Sequence, residues 1–349
     1  MATEPATETT LRGPAAWEEE ADRERVHGLG PWKLGLRRLR RNKVALLFGF
    51  LFVLLVLSCV AAPLYADKVA KTTATANHLT DVIKVDGKDK NVVGLDGVPI
   101  GPQWLKADGK FVLGADRNGR DIMVRLLYGG RNSLMIGVVA AVMTTLLSIL
   151  LGIVSGYFRG PTDTVIRALL DIMWSFPVII LGTALGVALA LGGLQIGPIH
   201  IAGDSLLIPV LIIGLVYIPY MARPVRGQVL SLREKEFVEA SRAQGAGPIR
   251  IMFTEILPNL SSTIVVFFTL LIANAILLES ALSFLGAGVQ PPNPSWGTMI
   301  DEGVDRIATA PHLTIVPGVM LVLTVLSLNV FGDGVRDALD PRAKVRLEH

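Results

Sequence analysis

From Val44 to Leu64 the chain reads Val-Ala-Leu-Leu-Phe-Gly-Phe-Leu-Phe-Val-Leu-Leu-Val-Leu-Ser-Cys-Val-Ala-Ala-Pro-Leu, with no charged residue. About 20 apolar residues, wound as a helix, are enough to cross the hydrocarbon layer of a bilayer. A basic cluster precedes the run: Lys33, Arg37, Arg38, Arg40, Arg41 and Lys43. A cleaved signal peptide has a shorter apolar core, nearer the N-terminus, with a small-residue cleavage site. The run is therefore read as an uncleaved first span, 44–64, entered from the cytoplasm. Residues 1–30 are polar and lack apolar periodicity, so 1–43 reads as a cytoplasmic N-terminal tail.

The rest of the chain agrees with a membrane setting. Of 349 residues, 51% are hydrophobic and only 18% charged, and the mean hydropathy is +0.52. A soluble chain cannot bury that much apolar surface with so few charges. Aromatic residues make up 6%, so the apolar mass is Leu, Val, Ile and Ala, the residues of lipid-facing helices. The net charge is only +3, and the cations cluster beside apolar runs, which points to membrane topology and away from nucleic acid. The single cysteine, Cys59, excludes an internal disulfide and a cysteine metal cluster.

Further spans are expected at Ser133–Tyr157, Val165–Leu191, Ser205–Ala222, Thr263–Leu285 and Leu313–Phe331, making an all-α integral membrane protein with six transmembrane helices. The connector 223–250 carries Arg223, Arg226, Arg233, Lys235, Arg242 and Arg250, whereas 192–204 has no Lys or Arg and 286–312 only Arg306. Positive residues stay inside, so both termini are placed in the cytoplasm, with 332–349 as the C-terminal tail and 133–331 as the core. The long loop 65–132 is then extracytoplasmic. It holds an insert, 67–110, in which Asp86-Gly87 and Asp108-Gly109 each interrupt strand-like residues, the chemistry of tight β-hairpin turns. Isolated hairpins are marginal in water, so the insert is expected to lean on a partner. Asp121–Tyr128 reads as a short interfacial helix leading into the second span.

Catalytic signatures are missing. The Gly-Lys pairs at Gly87 and Gly109 are followed by Asp89 and Phe111, so there is no phosphate-cradling loop. The histidines at 27, 78, 200, 312 and 349 have no metal-ligand spacing, and no Gly-x-Ser-x-Gly elbow occurs. No catalytic residue and no metal site is assigned. Polar groups within spans cost about 2.5–3.5 kcal/mol at a helix centre, so each asks for a reason. Asp171 is spaced i, i+4 from Arg167 and reads as a locally paired interfacial charge or a path residue. Glu279, with Asn274 five positions earlier, reads equally as a path-lining or a packing residue. Two such groups are few for a proton-coupled carrier.

The most informative segment is the cytoplasmic loop at about 229–258. Phe237, Ala240 and Ala243 fall at i, i+3, i+6 and give a narrow apolar stripe on a charged helix. Gly245 and Gly247 break it, and Pro248 starts a second short helix with Ile249, Met252, Phe253 and Ile256 on one face, expected to stop before Pro258. Two such helices cannot bury themselves, and they need either a partner protein or the membrane surface to cover them.

Glu239-Ala240-Ser241, then Gly245, then Leu257-Pro258 resembles the "EAA" motif of permease subunits in bacterial ABC importers. Ser241 replaces the usual second alanine, and Glu255 stands where an aliphatic residue is common. Other segments narrow the resemblance to C-type permeases of the dipeptide, oligopeptide and nickel group. They are Leu113-Gly114-Ala115-Asp116 with Gly119-Arg120-Asp121, then Arg226 to Glu234, Leu282 to Pro292 running to Pro294-Ser295-Trp296-Gly297, and Gly332 to Pro341. The insert has no counterpart in that pattern.

The resemblance implies the type I importer permease fold and a bacterial cytoplasmic (inner) membrane location. It also implies partners: a homologous B-type permease, two ATPases holding ATP and Mg2+, and an extracytoplasmic substrate-binding protein, all among membrane lipids. This chain would bind no cofactor itself. Glu239, Ala240, Ser241, Gly245, Leu257 and Pro258 would couple it to the ATPases, and Glu279, Asn274 and Asp171 are the candidate intramembrane polar residues. Short peptides are the expected cargo, with nickel chelates or short saccharides as alternatives. Readings outside the family are an ATP-independent carrier or channel and a membrane scaffold.

Overall fold

The computed structural model describes residues 31–339 except 105, 107 and 108. The described residues open with α1 (Pro31–Arg41), separated at Asn42 from α2 (Lys43–Val60). The Asn42 side chain accepts a hydrogen bond from the Ala45 amide at 3.1 Å, satisfying one of the free amides at the start of α2. Most of α2 is left uncovered by the rest of the chain, and it is continued by a helical turn at Ala62–Tyr65 and a π turn at Ala66–Ala70. Across the described residues, four helices are long and apolar enough to span a bilayer, or six if each of two bent pairs counts as one span.

The insert contains one hairpin, β1 (Val82–Val85) with β2 (Lys88–Asn91), antiparallel with Val85 opposite Lys88. Asp86 and Gly87 take φ of 51° and 77°, the left-handed pair that an Asp-Gly turn supplies. The second expected hairpin does not form strands among the described residues, and Asp108 itself lies outside them. Trp104 donates instead to the Val112 carbonyl at 2.9 Å while Phe111 is buried with Val92 and Ala115. The insert leans on its own chain: Phe111 N–H donates to Asp121 at 2.7 Å, and Arg306 donates to the Gly97 carbonyl at 2.6 Å.

The expected interfacial helix at Asp121–Tyr128 is instead the first part of α3 (Ile122–Phe158), which runs unbroken for 37 residues. Asp121 caps it, accepting from Met123 and Val124 at 2.9 and 3.1 Å. The expected span Val165–Leu191 is two helices, α4 (Gly160–Trp174) and α5 (Val178–Gly192), bent by 85°. Pro177 sits at the break, where its missing N–H cannot continue a helix. A small hairpin, β3 (Leu194–Ile196) with β4 (Ile199–Ile201), follows. The expected span Ser205–Ala222 is also bent, by 40° at Tyr217 between α6 (Leu207–Val216) and α7 (Ile218–Leu232), with Pro219 in the first turn of α7. The short α8 (Glu236–Ala243) then leads to α9 (Pro248–Phe284), to α10 (Trp296–Val304) and to α11 (His312–Leu339).

The core lies where α3 meets α7 and α9, with α11 against α2 and α10. Small residues allow the closest approaches. A Cβ on Gly334 of α11 would lie 2.3 Å from the Ala45 methyl carbon of α2, so only glycine fits there.

Candidate functional site

At one end of the spans α7 passes into α8 at Lys235. Glu236 and Glu239 lie in the first turn of α8 and Arg242 in its last, each suited to the helix dipole. Val238 is fully buried and holds α8 down, while Phe237, Ala240 and Ala243 face outward. The end of α8 closes in a Schellman turn: Gly245 N–H donates to Arg242 O at 3.0 Å and Ala246 N–H to Ser241 O at 3.1 Å. Gly245 takes φ +84°, and a Cβ placed on it would meet nothing within 4 Å. The demand for glycine there is a backbone demand.

The second short helix does not stop before Pro258. It enters α9 through a π turn at Ile251–Ile256, in which Leu257 N–H reaches Met252 O. The wider turn accommodates Pro258, which has no N–H to give, and the Asn259 side chain donates to the Glu255 carbonyl at 2.7 Å. The four apolar residues expected on one face divide: Met252 and Ile256 are buried, whereas Ile249 is 71% and Phe253 52% exposed. Leu257 is half-buried and Pro258 exposed. Ser241 and Glu255, the two positions that depart from the motif, meet, Ser241 Oγ lying 3.4 Å from Glu255 Oε1. An apolar rim of Phe237, Ala240, Ala243, Ile249 and Phe253 is thus left open around a rigid hook.

Charged contacts fix that hook to the spans. Asp163 of α4 is buried; it takes a forked pair of bonds from Arg226 of α7 at 2.6 and 2.7 Å and one from Ser155 of α3 at 2.5 Å. Arg167 also approaches Asp163, at 3.3 Å. Arg233 donates to the Tyr157 carbonyl at 2.5 Å, and Arg159 pairs with Glu234. Asp171 is not paired with Arg167 as its spacing suggested, because Arg167 turns to Asp163 and Asp171 binds Arg223 at 2.7 Å across 52 positions. Sequence reading missed Asp163 and its bond to Arg226 because the partners lie 63 positions apart, although a carboxylate beside an apolar run was a visible signal. Nearby, Tyr220, Gln228, Thr263, Phe267, Leu270 and Arg336 line an open recess of about 490 Å³ between α7, α9 and α11.

At the other end of the spans, Glu279 is 0% exposed. Ser283 Oγ donates to its carboxylate at 2.7 Å and Ser280 Oγ at 3.3 Å, and the Ser133 and Ser295 hydroxyls lie beside it, so that four serines ring the carboxyl. The same hydroxyls hold the loop before α10: Ser283 Oγ accepts from Val289 N–H at 3.0 Å and Ser133 Oγ from Trp296 N–H at 3.3 Å. Asn274 is not brought into this ring; its backbone carbonyl accepts from the Tyr217 hydroxyl at 3.3 Å. Above lies a charge cluster that sequence reading did not assemble. Arg125, 2% exposed, joins Asp116 at 2.8 Å and Glu302 at 3.0 Å, and Arg120 bridges the same two carboxylates at 2.6 and 2.7 Å. Burial pushes the Glu302 carboxyl above the usual carboxylate range, against the pull of Arg120. Burial likewise raises Asp121, against its three backbone hydrogen bonds. Among the described residues no group of His, Cys, Asp and Glu is arranged to hold a metal ion.

Comparison with known proteins places this geometry. Residues 148–345 match the binding-protein-dependent transport system inner membrane component family, and residues 30–79 match the N-terminal transmembrane domain of oligopeptide transport permease C. The chain is 34% identical over 316 residues to the dipeptide transport system permease protein DppC of Alkalihalophilus pseudofirmus, covering 90% of this chain and 91% of the relative. It is 35% identical to the glutathione transport system permease protein GsiD of Pectobacterium atrosepticum (90% and 92% covered). It is 34% identical to the oligopeptide transport system permease protein OppC of Bacillus subtilis (95% and 96% covered). An inward-facing structure of the MetNI methionine ABC transporter shares the fold at a TM-score of 0.52 and 21% identity, covering 63% of this chain and 98% of that one.

Proposed function

The chain belongs to the family of binding-protein-dependent transport system inner membrane components, and from that premise we propose that it imports short peptides as one of two permease subunits of an ABC transporter. Relatives named for dipeptide, oligopeptide and glutathione transport support peptides as the cargo class. The partners are a homologous permease, two ATPases that hydrolyse ATP with Mg2+, and a substrate-binding protein on the outer face of a bacterial cytoplasmic membrane.

The observation that carries the mechanism is the open apolar rim of α8 and the start of α9. Phe237, Ala240, Ala243, Ile249 and Phe253 are left bare on a hook whose other side is buried through Val238, Met252 and Ile256. Covering such a rim removes apolar surface from water at about 25 cal/mol per Å², so an ATPase cleft that receives it is held there. Glu239, Ala240, Ser241 and Gly245 give the hook its shape, and Leu257 and Pro258 join it to a spanning helix. A push on the hook is then passed along α9 and, through the Asp163–Arg226 bond, to α4 and α7. Glu279 is a packing residue in this scheme: its serine ring fixes α10 and the loop before it against α3 and α9. Asn274 and Asp171 take structural parts, the latter through Arg223.

Uptake of a labelled dipeptide into vesicles holding the complete complex and its binding protein tests the proposal. ATP-dependent uptake, competed by unlabelled di- and tripeptides, is expected. Uptake that proceeds without ATP, or that peptides fail to compete, would contradict it.

A further inference from the structure

The helix α1 has no task in the transport scheme. One side of it is used for packing: Gly35 lies beneath the end of α11, where a Cβ would sit 2.8 Å from Leu339 Cδ2. The surface beside that face is open. Trp32 and Leu36, one helical turn apart, are 51% and 52% exposed. Lys33, Arg37, Arg40 and Arg41 flank them, all exposed, and with Leu36 they line a shallow recess. Among the described residues no carboxylate pairs with these four cations. The helix leads directly into the first membrane span across Asn42.

Each of these features selects the same surroundings. An indole and a leucine beside cations settle at the boundary between headgroups and acyl chains. Guanidinium groups fork onto phosphate oxygens, and a basic stripe next to a span is drawn to anionic lipid. We propose that α1 binds anionic phospholipid headgroups of the cytoplasmic leaflet. Trp32 and Leu36 enter the acyl boundary while Lys33, Arg37, Arg40 and Arg41 hold the phosphates. Because Gly35 seats α1 against the end of α11, a bound headgroup braces the helix whose Arg336 and Leu339 line the cytoplasmic recess. The proposal rests on the cytoplasmic placement of the N-terminus, which thiol labelling of the insert from outside the cell tests separately.

The test is lipid selection by the complete complex in nanodiscs, read from spin-labelled lipids that become immobilised on the protein. The wild type is expected to prefer phosphatidylglycerol over phosphatidylcholine at low salt. Combined Arg37→Gln, Arg40→Gln and Arg41→Gln should remove most of that preference, since each cation contributes to attraction by anionic lipid. Lys33, Arg38 and Lys43 remain to keep the orientation. Arg→Lys at the same three positions should retain most of the preference. For the wild type alone, the preference should collapse as salt rises and the screening length falls from about 30 Å at 0.01 M to about 3 Å at 1 M. Equal selection of both lipids by the wild type, a salt-independent preference, or an unchanged preference in the glutamine variant would each overturn the proposal.

Discussion

Gly245 and Glu279 are constrained in opposite ways, one by its backbone and one by its neighbours. At Gly245 a side chain would meet open space, yet φ is +84°. Gly245→Val should therefore cost about 1–3 kcal/mol of local strain and unwind the Schellman turn, whereas Gly245→Asn, which tolerates the left-handed region, should be mild. ATPase retained by the purified permease pair reports the difference, and equal retention in Val and Asn variants would remove the turn from the account. At Glu279 the surroundings decide. Glu279→Gln keeps hydrogen-bonding atoms for the serine ring and should leave assembly intact with a modest change in transport. Glu279→Leu leaves Ser283 and its neighbours without an acceptor, at a cost of about 1–3 kcal/mol, and should lower the melting temperature of the complex. Normal stability and transport in both variants would leave Glu279 with no part to play.

Among elements, the Asp163–Arg226 bond ties α4 to α7 just before the hook. Removing one charge of this partly buried pair strands the other, at a cost of about 1–3 kcal/mol. Asp163→Asn should thus destabilise the complex, and exchanging the two residues, Asp163→Arg with Arg226→Asp, should recover part of the loss. Unchanged melting of the single variant would contradict the role given to the bond. What the sequence revealed of the elements follows the range of the forces involved. The β1–β2 hairpin was legible because Asp86-Gly87 settles its turn locally. Hydropathy located the apolar runs but could not bend them, so the 85° break at Pro177 and the 40° bend near Pro219 were read through, although both prolines stood in plain view. The π turn that carries a helix past Pro258 depends on side-chain help from Asn259, which no periodicity rule anticipates. Asp171 shows the same limit, since a local i, i+4 partner was visible and the distant one, Arg223, was not.

For the whole molecule, the proposed orientation rests on the basic connectors, and the folded insert makes it testable. Cys59 is fully buried, so a cysteine introduced at exposed Lys90 in β2 stands as the single accessible thiol among the described residues. An impermeant thiol reagent should label it on intact cells, and labelling only after the membrane is opened would reverse the topology and place the hook outside. The motifs announced the hook, and its exposed rim needed the structure, because burial divided Met252 and Ile256 from Ile249 and Phe253 on what had read as one face. The measurement that bears most directly on the account replaces Phe237 by Asp, alone and with Glu239→Lys, outside every spanning helix. Peptide uptake and peptide-stimulated ATP hydrolysis are then followed side by side in vesicles holding the complete complex. The expected result is a complex that still inserts and pairs but binds ATPase weakly, or hydrolyses ATP without moving peptide; wild-type coupling of hydrolysis to uptake in these variants would contradict the role given to the hook.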